Sequence, residues 1–468
     1  MSIRSLVLAT LSILGTHFPC HGERMNVIFF LVDDFGYHDL SATGSPLYQT
    51  PRMDGLAASG MLLTQAYAAY PRCVPSRFAM ITGVHPSRAE SEGENPGNMN
   101  PQRVTIAEAL KEAGYATFFA GKWHLGKEAA RHPQNQGFDV NIAGGSAGAP
   151  GSYFPPYTNK KNLTGPEELD ANAEPGKYLT DRLTDESVAF IESQKDNPFF
   201  VYLSHYAVHT PIQGKADKTE QYQAKVSSLS YEGPEYVVGI DGRRLRHQNN
   251  PRYASMIESV DESLGRILDT IKAHDLDDRT IVILTSDHGG LSNTGPENNR
   301  ELATSNLPLR AGKGHLYEGG LRVPVIVRWP GKIVAGTLGS FPITGMDYYP
   351  TLLEMLDLPL RPGHHTDGTS FVPGLLGARD FNKERSFFWY SDAGRRESTG
   401  DFNAAAIRRG PYKLIQFFNQ NRIELYDISL DPSESADLSE ALTNIKDELL
   451  EELIAWKQAM NVRDREQR

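Results

Sequence analysis

The chain has 468 residues, with 47 Lys and Arg against 58 Asp and Glu for a net charge of −11; 39% of residues are hydrophobic and 22% charged, with 42 Gly and 29 Pro. This length supplies about two or three domains' worth of chain, and the modest charge content, with Gly and Pro scattered between apolar runs, excludes disorder and a coiled coil. The acidic balance speaks against a surface-wide grip on nucleic acid or an anionic membrane and leaves room only for a local basic pocket.

Residues 1–23 read as a secretory signal peptide: Arg4, then the apolar run Leu6 to Leu14, with cleavage expected between Gly15 and Arg24. Export, periplasmic or secreted, is the expectation. Of the two cysteines Cys20 would leave with that segment and Cys73 would remain alone, which excludes a disulfide framework and a zinc site built of thiolates. No later apolar run reaches the roughly 18 residues that a membrane span needs.

Val27 to Val32 reads as a first strand. Thr50-Pro51 opens a short helix that Gly60 closes, and Thr105-Ile106-Ala107-Glu108 has the spacing of a capping box whose helix ends at Gly114. Tyr115 to Ala120, Phe199 to Ser204 and Thr280 to Ser286 follow as strands, the last preceded by a long amphipathic helix marked by Met256, Ile257, Val260, Leu264, Ile267, Leu268 and Ile271. Short apolar runs alternating with amphipathic stretches predict an α/β fold whose strands are buried on both faces. Neither a repeat nor a long low-complexity tract is visible. After Gly374 the strand-like pieces Arg385 to Tyr390, Ala404 to Arg409, Lys413 to Phe418 and Glu424 to Ile428 come without helices between them, which predicts antiparallel pairing, and Leu442 to Met460 reads as a covering helix. The expected organisation is a larger α/β domain over 24–375 and a smaller C-terminal α+β domain over 376–468.

Ionisable residues follow each strand of the larger part: Asp33-Asp34, Lys122 and His124, His205 and His209, and Asp287-His288. In open α/β sheets the ligand crevice lies outside the carboxyl ends of the strands, so these groups are expected to converge. Single polar residues at strand ends are ordinary turn formers and caps; four in four strands point to a shared site. Clustered carboxylates repel unless a cation lies among them, and their oxygens suit calcium or magnesium. Pro75 and Gly83 frame a short helix that sets Cys73 at its amino end, where free N–H groups favour an anion, with Arg77 one turn in. On an extended segment Lys122 and His124 face the same way, and with His209 and Lys313 they make the surroundings of Cys73 cationic. The alternative for a lone cysteine is an inert buried small hydrophobe.

Cys73-Val74-Pro75-Ser76-Arg77 matches the C-x-P-S-R signature of the sulfatase family, and Gly121-Lys122-Trp123-His124-Leu125-Gly126 resembles its second signature. The resemblance extends through Val208-His209-Thr210-Pro211, Ser286-Asp287-His288-Gly289, Gly312-Lys313-Gly314 and Tyr317-Glu318-Gly319-Gly320 to Leu425-Tyr426-Asp427 and Asp431-Pro432-Ser433-Glu434. It implies an alkaline-phosphatase-like central mixed sheet flanked by helices. It also implies that Cys73 is oxidised by a formylglycine-generating maturation enzyme to formylglycine, whose hydrate is the nucleophile. Asp33, Asp34, Asp287, His288 and the modified residue 73 would hold one calcium ion. Where His288 stands the family more often has Asn, which leaves the last ligand and the metal's identity open.

By the same resemblance Arg77, Lys122 and Lys313 would oppose charge on the sulfuryl oxygens, Asp287 would accept the nucleophile's proton, and His209, helped by Lys313, would protonate the leaving oxygen. His124 would draw the proton from the second hydroxyl and so release sulfate. The implied substrate is a sulfated saccharide. Asp241-Gly242-Arg243-Arg244-Leu245-Arg246-His247 lies where an insert could overhang the pocket and bind a uronate or second sulfate, or form a solvated face. Asn162-Leu163-Thr164 is a glycosylation sequon by pattern only. The competing readings are a phosphatase or phosphonate hydrolase of the same superfamily, a papain-like cysteine hydrolase, whose relay leaves the Asp cluster unexplained, and a noncatalytic glycan-binding protein.

Overall fold

Six consecutive apolar residues cannot leave either face of a strand to water, and the strand Asn26–Val32 accordingly lies in the middle of a sheet. Ile28, Phe30 and Val32 enter one hydrophobic core and Val27, Phe29 and Leu31 the other. In this computed structural model the described residues are 24–159, 165–239, 241–298, 300–418, 420 and 422–464. The expected signal segment and the sequon at 162–164 lie outside the described residues.

The large sheet has eight strands, in spatial order Thr337–Gly339, Met61–Leu63, Val325–Arg328, Thr280–Ser286, Asn26–Val32, Phe199–Ser204, Ala116–Gly121 and Val140–Ile142. It is mixed: Val325–Arg328 runs antiparallel to both neighbours and the other pairings are parallel. On one face the 23-residue helix Pro251–Ala273 buries Met256, Ile257, Val260, Leu264, Ile267 and Ile271, the stripe predicted from their spacing. The capping box also forms, with Thr105 Oγ1 accepting from Glu108 N–H and Glu108 accepting from Thr105 N–H. Among the described residues no helix is long and apolar enough to cross a membrane.

The strands Phe387–Ser391, Ala404–Arg409, Tyr412–Phe417 and Arg422–Asp427 form a separate antiparallel sheet in sequence order. The helix Thr443–Ala459 covers one face through Leu449 and Leu453 against Ala405, Ile407, Leu414 and Leu425. The other face packs Trp389, Ala406, Ile415 and Tyr426 against Tyr67, Tyr317 and Leu321. Lys413 is sealed in this second layer, 3.0 Å from both Glu318 and Glu434, with all three side chains inaccessible to solvent. Within the segment Asp241–His247, Gly242–Leu245 pairs antiparallel with Tyr236–Gly239 and, on its other edge, with Asn293–Thr294.

Candidate active site

The register of the sheet brings the strand ends level. Leu31 and Gly121 both pair with Ser204, and Val32 pairs with Ser286, so Asp33, Lys122, His205 and Asp287 leave the sheet side by side. Asp33 is fixed by its own backbone, its N–H donating to Ala207 O at 2.9 Å and its carbonyl accepting from Val208 N–H at 2.8 Å. Asp34 turns in the left-handed region, φ 60°, with its N–H on Asp287 Oδ1 at 3.1 Å. Asp tolerates that conformation better than most residues, and here it sends two successive carboxylates into one site. His205 turns the other way: it is fully buried, with Nε2 2.9 Å from Ser263 Oγ and its ring edge-on to Phe30.

Cys73 begins the helix Cys73–Thr82, which Gly83 closes at φ 67°. The helix starts two residues before Pro75 because Ser76 N–H already bonds Arg72 O at 3.3 Å, leaving Pro75, which has no N–H to give, within the first turn. Ser76 Oγ donates to Asp287 O at 2.6 Å and so ties the signature helix to the strand end opposite. Arg77 is saturated: Nε on Asp287 Oδ2 at 3.0 Å, Nη2 on Asp33 Oδ1 at 3.0 Å, and Nη1 on Lys122 O at 2.8 Å and Ser204 Oγ at 2.7 Å. Lys122 Nζ lies 2.6 Å from Asp33 Oδ2. Arg77 and Lys122 thus direct their charge to the carboxylates of Asp33 and Asp287 and hold them in place.

Lys313 Nζ faces outward from this layer, 2.7 Å from both oxygens of Asp34 and 3.6 Å from Cys73 Sγ. His288 Nε2 stands 3.2 Å from Cys73 Sγ and 3.2 Å from Asp34 Oδ1. Burial alone would push the Cys73 thiol up, but Lys122, Lys313 and His288 outweigh it and hold the thiol well below its usual range. Burial opposes the charge on His288 as well, and Asp287, Cys73 and Asp34 reverse this, pushing it up to about 9. Asp33 is held down by Lys122 and Arg77 against its burial, whereas burial and the neighbouring Asp33 raise Asp287.

One ligand atom from each of Asp33, Cys73, Asp287 and His288 lies within 4.8 Å of every other, and the same holds for Asp34, Cys73 and His209. Oxygen ligands about 2.3–2.6 Å from a calcium ion lie at most about 5 Å apart across it, so carboxylates at this spacing fit a single hard divalent cation. An imidazole in the set is compatible with a borderline metal too.

Two histidines flank Cys73 differently. His209 remains partly open to solvent, with Nδ1 2.8 Å from Thr210 O and Nε2 3.9 Å from Asp34 Oδ2. With Nδ1 facing a carbonyl, Nε2 is the ring nitrogen turned to Asp34. His124 sits at φ 64°, so the segment from Lys122 turns there rather than running extended. Burial, reinforced by Lys122, lowers it to about 4, and its Nδ1 is buried without a hydrogen-bond partner among the described residues. Gly148 lies on the ring: a Cβ there would be 2.5 Å from His124 Nε2.

The family model described as Sulfatase matches residues 25–358, and one described as N-sulphoglucosamine sulphohydrolase, C-terminal, matches residues 311–459. The chain belongs to the sulfatase family. It is 30% identical over 470 residues to the N-acetylgalactosamine-6-sulfatase of Mus musculus, covering 95% of this chain and 81% of that protein. It is 28% identical over 516 residues to the N-acetylgalactosamine-6-O-sulfatase of Bacteroides thetaiotaomicron, covering 93% and 94%. The crystal structure of Ps i-CgsB in complex with k-i-k-neocarrahexaose superposes with a TM-score of 0.74 at 28% identity, covering 93% of each chain. The sulfatase is therefore a sulfuric ester hydrolase with the alkaline-phosphatase-like fold.

One part of the sulfatase's site has no signal in the sequence. The loop between Phe387–Ser391 and Ala404–Arg409 reaches from the small sheet to the residue beside Cys73: Asp401 takes Arg72 Nη2 at 2.7 Å on both oxygens, and Thr399 Oγ1 takes it at 3.0 Å. His315 Nε2, two residues from Lys313, lies 2.9 Å from Thr399 O. Neither Arg72 nor Asp401 belongs to a spacing pattern, and only the fold brings them together.

Proposed function

We propose that this sulfatase removes a sulfate ester from a carbohydrate, with residue 73 as a formylglycine and one calcium ion bound by Asp33, Asp34, residue 73, Asp287 and His288. The observation that carries the reading is the position of Cys73, at a helix start within 3.2 Å of His288 and 3.6 Å of Lys313, grouped at cation-binding spacing with the carboxylates of Asp33 and Asp287 and, in a second group, with that of Asp34. The carbohydrate is supported by the relatives named for N-acetylgalactosamine sulfates and by the neighbour whose crystal holds an oligosaccharide.

A formylglycine hydrate supplies two hydroxyls on one carbon, one to attack sulfur and one whose deprotonation afterwards releases sulfate. A bound calcium supplies positive charge for the sulfate oxygens and makes a nearby hydroxyl more acidic. Arg77 and Lys122 hold Asp33 and Asp287 in register, and Asp287, pushed up by burial, is placed to accept the nucleophile's proton. Lys313 meets charge that builds on the sulfuryl oxygens. His209 Nε2 gives a proton to the leaving alcohol oxygen; His124, kept neutral by burial, takes the proton of the second hydroxyl. The proposal includes maturation by a formylglycine-generating enzyme and export, the latter resting on Arg4 and the run Leu6 to Leu14.

The test is a panel of defined sulfated saccharides with free sulfate as readout, on enzyme made with the maturation machinery. Release of sulfate, its loss in Cys73→Ala, its loss on chelation and return with calcium, and an aldehyde at residue 73 by mass and hydrazide labelling are the expected results. Faster turnover of phosphate or phosphonate esters, or full activity with an unmodified thiol, overturns the reading.

A further inference from the structure

Lys313 and Cys73 are 240 residues apart in the chain, yet Lys313 Nζ stands 3.6 Å from Cys73 Sγ. Their backbones meet beside that contact, where Gly314 N–H donates to Pro71 O at 2.8 Å. Arg72 and Gly314 then share one neighbour, Asp401, which the loop of the small sheet delivers. Arg72 Nη2 lies 2.7 Å from each oxygen of Asp401 and 3.0 Å from Thr399 Oγ1. Gly314, at φ 97°, is pressed onto this ion pair: a Cβ there would stand 2.6 Å from Asp401 Oδ1 and 2.8 Å from Arg72 Nη2. His315 is held by the same loop, with Nε2 2.9 Å from Thr399 O, which also accepts from Asn293 Nδ2.

The ion pair is sealed from water, with the Arg72 and Asp401 side chains 8% and 1% exposed. Arg72 Nε is buried without a hydrogen-bond partner among the described residues, so the guanidinium depends on Asp401 and Thr399. Asp401 is tied to its own loop by Arg395 N–H at 3.2 Å. Loosening such a pair would leave a buried charge alone, which makes the contact stiff. Its two sides hold different segments. Arg72 is joined to Cys73, and its carbonyl accepts the first helical bond from Ser76 N–H at 3.3 Å; Gly314 is joined to Lys313, whose N–H is held by Gly290 O at 3.1 Å. The long Lys313 side chain reaches Asp34 and Cys73 from wherever this turn places its backbone.

Resting on the reading that sets Lys313 against charge on the sulfuryl oxygens, we infer that Asp401 and Arg72 are positioning residues for sulfate transfer. The pair, brought in by the C-terminal sheet, fixes the Lys313 turn against Cys73 and acts on the reaction through Lys313. A shift of about 1 Å in a group that meets developing charge costs up to about 10²-fold in rate, so a contact outside the chemistry can govern kcat.

Asp401→Asn keeps an acceptor oxygen and removes the charge, and Arg72→Gln serves as the second variant should the first not fold. Backbone hydrogen exchange reads the positioning without turnover. Residues 311–316, which include the N–H groups bound to Gly290 O and Pro71 O, are expected to exchange about tenfold faster or more, with the central strand at 280–286 unchanged. Unchanged exchange at 311–316, or a rise in the central strand as well, overturns the inference. Turnover of 4-nitrophenyl sulfate, normalised to the aldehyde at residue 73, reads the consequence. Asp401→Asn is expected to lose about 10–100-fold in kcat with KM within about threefold, but less than about twofold in a Lys313→Met background, because effects that run through one group do not add. Equal losses in both backgrounds, or none in the parent while Lys313→Met is impaired, overturn the inference. Faster exchange at 311–316 with full kcat in Lys313→Met supports the clamp and sinks the role given to Lys313. If the ester is not turned over, the exchange result decides.

Discussion

Lys313 Nζ spans 2.7 Å to each oxygen of Asp34 and 3.6 Å to the sulfur of Cys73. A single ammonium thus faces both a carboxylate of the cation cluster and the residue proposed as nucleophile. It differs in this from Lys122, whose charge is spent on Asp33 behind the site. Lys313→Met is expected to lower kcat by about 10²–10³-fold, the usual loss when one preorganised positive or hydrogen-bonding group is removed from developing charge. Asp34 keeps His288 at 3.2 Å, so the fold should survive. Steady-state kinetics beside a circular dichroism melt checks this; a change confined to KM would assign Lys313 to ground-state binding instead.

The two histidines separate by step. His209→Ala should cost far more on sugar sulfates, whose alcohol leaving groups need a proton, than on activated aryl sulfates that leave as stable anions. His124→Ala should give a burst of desulfated alcohol without an equal amount of free sulfate, provided the first step survives. Rapid-quench measurement of both products checks the pair. Equal losses on both substrate types for His209→Ala, with alcohol and sulfate appearing together for His124→Ala, would exchange or abolish these roles.

Much of this was legible because strands buried on both faces announce themselves: Asn26–Val32 and Thr280–Ser286 are unbroken apolar or small-residue runs, and their ends place Asp33 and Asp287 without reference to anything else. The edge strands Val140–Ile142 and Thr337–Gly339 were not legible, since three residues carry no readable period and neighbours define them as strands. Lys122 and Arg77 show the same division in the site. Their presence near Cys73 followed from the motifs, but their saturation by Asp33, Asp287 and Ser204 depends on register between strands far apart in the chain. Arg72 and Asp401 meet only because the small sheet docks on the large one, and no local pattern marks either.

That docking rests on a buried charge. Lys413 is 3.0 Å from Glu318 and 3.0 Å from Glu434, and Glu318 is shared with Arg322 at 2.9 Å. Lys413→Met should destabilise the protein by about 3–5 kcal/mol, because it leaves Glu434 sealed without a cation and Glu318 with Arg322 alone. Adding Glu434→Gln should restore part of the loss, since Glu318 keeps Arg322. Urea denaturation of the three proteins checks the order; a Lys413→Met protein as stable as the parent would mean that water reaches the pair.

His205 yields a prediction in pH. It follows the strand Phe199–Ser204, as Lys122 follows its own strand, yet it lies in the apolar core, and burial alone lowers it from 6.5 to about 3. Below pH 6.5 the unfolded chain gains a proton at this residue and the folded one does not, so the unfolded state is favoured progressively. Stability contributed by the neutral ring is present above pH 6.5, is lost as pH falls, and the loss is complete below about 3. The slope owed to this one residue is about 1.4 kcal/mol per pH unit within that window. His205→Gln can keep a hydrogen bond to Ser263 but cannot titrate, so its stability relative to the parent should rise with acidity between pH 6 and pH 4. Urea midpoints for both proteins across that range measure the difference. A constant gap would mean that the parent folds with His205 already protonated, or that the unfolded chain keeps this ring out of water.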